Sequence, residues 1–137
     1  MNLDGFFKAQ SVAIIGVSRE PQKVGHIIFK NLLDGGYKGK VFVVNPNVDS
    51  IHDYKSYPSV LVIEENVDLA VVAVPAEIAI GVVEECGQKK IRNVVVISSG
   101  FKEIGNKKLE EKLYKTAKKY KINVIGPNCL GIFDAHA

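Results

Sequence analysis

The feature that most constrains this chain is a rhythm in which short runs dense in valine and isoleucine alternate with longer stretches of helical spacing. The runs are Val12 to Gly16, Val41 to Val44, Leu69 to Val74, Asn93 to Ser98 and Ile122 to Ile125. A strand with one wet face alternates apolar and polar residues, and these do not, so they read as strands buried on both faces. Three helical patterns lie between them. The first runs from about Val24 to Leu33 and stops at Gly35-Gly36, a helix C-terminal signal. The second begins at Pro75 or Ala76, where proline is tolerated, and ends near Gln88. The third covers about Lys107 to Tyr120, with Leu109, Leu113, Ala117 and Tyr120 on one stripe and its lysines on a solvated face.

Strand and helix in alternation predict an α/β fold: a Rossmann-like, doubly wound parallel sheet of about five strands with helices on both faces. The 137 residues, 47% of them hydrophobic, suffice for one core, so residues 1–137 are expected to form a single domain. The expected order of the five runs is 3-2-1-4-5, with the reversal of direction between the first and fourth strands opening a ligand crevice at their carboxyl ends.

Charge and composition exclude several classes. The net charge of +3 rests on lysine, with Arg19 and Arg92 the only arginines, whereas nucleic-acid surfaces lean on arginine for bidentate contacts. The longest apolar run, Leu69 to Ala76, is interrupted by Pro75 and ended by Glu77, far short of the ~18 residues of a membrane span. The first residues do not read as a secretion signal, and Cys86 and Cys129 form no close-spaced pair. A reduced, cytoplasmic protein without nucleic-acid or membrane partners is expected.

The carboxyl ends of the five runs are Gly16-Val17-Ser18, Asn45-Pro46-Asn47, Val74-Pro75-Ala76, Ser98-Ser99-Gly100 and Gly126-Pro127-Asn128-Cys129. Any one such loop needs small, turn-forming residues for its geometry alone. Five together would converge on the one crevice where such sheets bind ligands.

The ligand is not that of the familiar fingerprints. A dinucleotide turn needs G-x-G-x-x-G, and the later positions here are Ser18 and Pro21; the acidic residue that holds a ribose is replaced by Val44-Asn45-Pro46. Gly100 to Gly105 has the glycine spacing of a P-loop, but Asn106-Lys107 follows where lysine and a hydroxyl are required, and Asn106 reads as a helix N-cap. The first loop, Gly16 to Gly25, is longer. Its amides and the start of the first helix, with Arg19 and Lys23 nearby, suit an anion on a larger ligand.

Taken in order, A-I-I-G-V-S, K-V-G, V-N-P-N, V-V-A-V-P-A, V-I-S-S-G-F-K-E and G-P-N-C-L-G resemble the coenzyme A-binding domain of ADP-forming acetyl-coenzyme A synthetases. More distantly, the chain is similar to the N-terminal domain of the succinyl-coenzyme A synthetase alpha subunit. The resemblance implies a crevice that takes the nucleotide end of coenzyme A. Gly16, Val17, Ser18, Lys23, Val24 and Gly25 would surround the phosphates, and Asn45, Pro46 and Asn47 would lie near the adenosine. The family often has lysine where Asn47 stands, a lost cation that Lys23 or Lys55 could replace. Pro75, Ile97, Ser98 and Ser99 would flank the ligand, and Asn128 would sit by the pantetheine side. An acidic side chain at Gly25 is expected to block the anion while leaving the fold intact.

In that family the phosphoryl group travels through a histidine on a second domain and a grasp-type domain. His26, His52 and His136 do not sit in the family's histidine motif and read as packing or surface residues, with no metal-ligand spacing. Cys129 lacks a histidine partner and Cys86 reads as core. The resemblance therefore implies the N-terminal part of a longer ligase, one that binds without turning over and works with other domains or subunits. Two other readings stay open: a stand-alone coenzyme A-binding regulator, and an NAD-binding redox sensor.

Overall fold

All five valine- and isoleucine-rich runs form strands in the computed structural model, which describes residues 8–98 and 107–126 and the backbone of 132–133. In chain order the elements are β1 (Ser11–Ile15), α1 (Val24–Asp34), β2 (Lys40–Val44), β3 (Ser50–Ile51), β4 (Tyr54–Tyr57), a short 3-10 turn (Val60–Val62), β5 (Leu69–Val72), α2 (Ala76–Gln88), β6 (Asn93–Val96), α3 (Lys107–Tyr120), β7 (Asn123–Ile125) and β8 (Ile132–Phe133). Helix α1 closes as its composition predicts, with the Gly35 N–H donating to Asn31 O and Gly36 at φ +78°. No helix among the described residues is long and apolar enough to cross a membrane.

The strands lie in the order β3-β4-β2-β1-β5-β6-β7-β8. From β4 to β7 every pairing is parallel, and antiparallel β3 and β8 close the two ends. The Rossmann-like class holds, but the expected order of the five runs does not. That order puts the Leu69 run beyond β2; it lies instead on the other side of β1, in the register Val12↔Leu69 to Ile15↔Val72. The place beyond β2 belongs to β4, whose Ser56 and Tyr57 pair with Val43 and Val44. Tyr-Lys-Ser-Tyr is too short and polar to read as a buried strand, because it lies near the end of the sheet with only two residues on β2 and with Tyr54 and Lys55 exposed beside the two-residue β3. With β4 counted, the six parallel strands run 3-2-1-4-5-6.

Period-two alternation divides the core between the two faces. Ala13, Ile15, Phe42, Val44, Ala70, Val72, Val94 and Val96 point to one side, where Ala79, Val83 and Cys86 of α2 and Leu113 and Ala117 of α3 cover them. Val12, Ile14, Val43 and Val71 point to the other, under Phe29 and its neighbours on α1. Phe29 is fully buried and meets Tyr54 of β4 edge-on at 5.2 Å between ring centroids. That contact holds the β3–β4 hairpin against α1. The two-residue turn of the hairpin is His52-Asp53, at φ 49° and 66°, the left-handed pair that matches strand twist.

Candidate ligand cleft at the carboxyl ends of the strands

Strand β1 ends in a knot of backbone. The Gly16 N–H donates to Val44 O at 2.9 Å, and the Ala73 N–H donates to Ile15 O at 2.8 Å, so the loops after β1, β2 and β5 are tied together. Gly16 sits at φ +100°, and a Cβ there would stand 2.5 Å from Ala73 O. A Cβ on Gly25 would stand 2.6 Å from Gly16 O. Gly16 must be glycine because its left-handed backbone packs against the loop after β5, and Gly25 because the first turn of α1 packs backbone to backbone on the end of β1. The same fact corrects one expectation: an acidic residue at 25 would disturb this packing and not the anion alone.

A cleft of about 280 Å³ opens beside this knot. It brings together eight of the residues expected there, Gly16, Ser18, Lys23, Val24, Gly25, Pro75, Ile97 and Ser98, and adds Glu20, Ala73 and Val74. Its polar character comes from backbone. Helix α1 has Lys23 at its N-cap, with no side-chain cap and no acidic residue in its first turn. Among the described residues no acceptor meets the N–H groups of Ser18, Arg19, Val24 or Gly25. The start of a helix carries such donors and the positive end of its dipole, the combination that binds phosphate. Ser18 Oγ accepts from the Glu20 N–H at 2.9 Å, which leaves its hydroxyl hydrogen to donate.

The other expected residues fall elsewhere. The Val17 side chain is fully buried in the core, so only its backbone can serve a ligand. The Asn45 amide is used internally: Nδ2 donates to Val17 O at 2.7 Å, and Oδ1 accepts from the Asn47 N–H at 2.8 Å. Pro46 and Asn47 are exposed and do not line the cleft. Lys55 lies over the Tyr57 ring at 5.0 Å, and Lys23 is 4.0 Å from Glu20, both largely exposed, a pairing that screening makes weak. The Arg19 side chain turns elsewhere, its Nε and Nη2 donating to Ser50 O at 3.2 and 3.0 Å, and the residue lines a separate cavity with His26, Lys30 and His52. Ser99, Asn128, Cys129, His136 and the Gly100–Asn106 segment lie outside the described residues.

Sequence reasoning passes over two features. Glu20 adds an acidic residue to the lining of the cleft, with no motif to announce it. His26, 4% exposed, does more than pack: its Nδ1 lies 2.6 Å from Ser18 O and its Nε2 lies 3.3 Å from His52 Nε2. Their 26-residue separation hides that pair. Cys86 is core as expected; burial foremost, and then Glu85, pushes its thiol up to about 12.

Residues 10–135 match a protein family described as the CoA binding domain. The chain is 49% identical over 127 residues to the acetate–CoA ligase [ADP-forming] of Methanocaldococcus jannaschii, covering 93% of this chain and 18% of that protein. It is 46% identical over 138 aligned positions to the alpha subunit of acetate–CoA ligase [ADP-forming] I of Pyrococcus furiosus, covering 96% of this chain and 30% of that subunit. The dinucleotide-forming acetyl-coenzyme A synthetase 1 of Ca. Korarchaeum cryptofilum, solved with phosphate and ADP, superposes with a TM-score of 0.88 at 42% identity. The superposition covers 93% of this chain and 27% of that one. The chain thus spans only 18% to 30% of the length of these relatives.

Proposed function

Because the chain belongs to the CoA-binding domain family, we propose that the cleft beside β1 holds the phosphates of coenzyme A as part of an ADP-forming acyl-coenzyme A synthetase. That enzyme would interconvert acyl-coenzyme A, ADP and phosphate with free acid, coenzyme A and ATP. On this reading residues 1–137 are the coenzyme A-binding domain, and other domains or subunits carry the phosphoryl chemistry. The N–H groups of Ser18, Val24 and Gly25 and the Ser18 hydroxyl would donate to the pyrophosphate, with Lys23 adding charge at the rim. Pro75, Ile97 and Ser98 would line the path of the ligand across β5 and β6, with Ser99 and Asn128 further along it. Asn45, Pro46 and Asn47 would border the adenosine, Asn45 by shaping the loop.

One observation carries the reading: in a chain matched to this family over residues 10–135, residues with backbone N–H groups that meet no acceptor among the described residues, and Ser18 with a hydroxyl hydrogen left to donate, line one cleft. Isothermal titration calorimetry with coenzyme A, dephospho-coenzyme A and NAD in parallel tests it. Coenzyme A is expected to bind, NAD to give no heat, and the dephospho form to bind more weakly where the ribose phosphate is recognised. Binding of NAD without coenzyme A would overturn the reading.

A further inference from the structure

Two consecutive carbonyls of the first loop are tied down by side chains from different elements. Val17 O accepts from Asn45 Nδ2 at 2.7 Å, at the end of β2. Ser18 O accepts from His26 Nδ1 at 2.6 Å, in the first turn of α1. In a trans peptide the C=O and the N–H of the following residue point in opposite directions. Holding Val17 O toward Asn45 therefore turns the Ser18 N–H away from Asn45, and holding Ser18 O toward His26 turns the Arg19 N–H away from His26. Neither N–H meets an acceptor among the described residues, and Ser18 itself lines the cleft.

The partners assign the chemistry of the supporting side chains. A carbonyl only accepts, so His26 Nδ1 carries the hydrogen, and in the neutral ring Nε2 is left as acceptor. It faces His52 Nε2 at 3.3 Å, which must then donate. His52 is held by the turn of the β3–β4 hairpin and stacks near Phe29, with centroids 6.2 Å apart. The Asn45 amide is likewise assigned, since its oxygen already accepts from the Asn47 N–H. A line of support runs from the hairpin through His52 and His26 to the loop.

We propose that His26, seconded by Asn45 and braced by His52, is a positioning residue that aims the Ser18 and Arg19 N–H groups at the ligand's phosphates. The inference rests on the coenzyme A reading above. It explains a buried polar side chain in a helix turn where a hydrophobe would pack more simply. It also explains how a loop with Ser18 and Pro21 at the later glycine positions of the dinucleotide fingerprint can offer its backbone to an anion. Carbonyls are pulled back instead of side chains being removed.

The test is calorimetry of the 137-residue chain with coenzyme A, with three substitutions at position 26. His26→Leu removes the donor. His26→Asn keeps an N–H donor at the place of Nδ1 but cannot reach His52. His26→Gln stays polar and carries its amide one methylene too far. Loss of one oriented donor to a charged group predicts roughly tenfold or more weaker binding for Leu and Gln, with Asn within about threefold of wild type. A purely packing role would lower the melting temperature of all three without this ordering. In 15N-edited NMR spectra, the Ser18 and Arg19 amide protons should move downfield on adding coenzyme A to wild type, and less in His26→Gln. Should His26→Leu not fold, the Asn and Gln pair and the amide shifts decide. No binding by wild type would sink the coenzyme A reading itself. Binding by wild type with Asn and Gln indistinguishable, or with unmoved amides, would overturn the positioning role alone.

Discussion

Gly16, Gly25 and Gly81 show how one residue type answers to different forces. Gly16→Ala would place a Cβ 2.5 Å from Ala73 O at φ +100°, and neither strand end can retreat from its ladder. We expect it to destabilise the fold by about 2–4 kcal/mol in urea unfolding. Gly81 lies exposed inside α2, and a Cβ added there would meet nothing within 4 Å. Gly81→Ala should stabilise by about 0.5–1 kcal/mol in the same assay, because alanine loses less backbone freedom in a helix. Lys23→Glu should act on the ligand far more than on the fold. The exposed side chain belongs to a residue of the cleft, so reversal should weaken coenzyme A binding several-fold at low salt and less at high salt, while unfolding shifts by less than about 1 kcal/mol, the carboxylate at the start of α1 offsetting the lost weak pair with Glu20.

Elements differ in how plainly they are written. Helix α3 spans Lys107–Tyr120, as its apolar stripe requires, and α2 starts after Pro75 because proline lacks only an N–H that a first turn does not use. Strand β4 is invisible for an equally physical reason. Four residues pairing with β2 through Ser56 and Tyr57 need little hydrophobic pattern, since β2 and the contact of Tyr54 with Phe29 supply the burial. The hairpin turn gives a test at this scale. Asp53 sits at φ 66°, and glycine would adopt that conformation without strain. Asp53→Gly should raise stability by about 0.5 kcal/mol, read as a later urea midpoint, and should leave coenzyme A affinity unchanged.

At the scale of the whole molecule, the proposed site would link ligand to fold through the first loop, which joins β1 to α1 and is tied to the end of β2. A ligand that binds only the folded state adds about 2.7 kcal/mol at a hundredfold excess over its dissociation constant. Coenzyme A at that excess should therefore raise the melting temperature, and NAD should not. The sequence by itself determined the α/β class, all five buried strands, the three helices and the loop that faces the cleft, because burial on both faces and helical spacing are local patterns. It also carried the family, through an ordered series of short motifs. What only the tertiary structure decided is which distant groups meet: β5 beside β1, β4 beyond β2, Arg19 turned to Ser50, and His26 joined to both Ser18 and His52. Those outcomes depend on strand neighbours and peptide orientation, quantities that no single stretch of residues encodes.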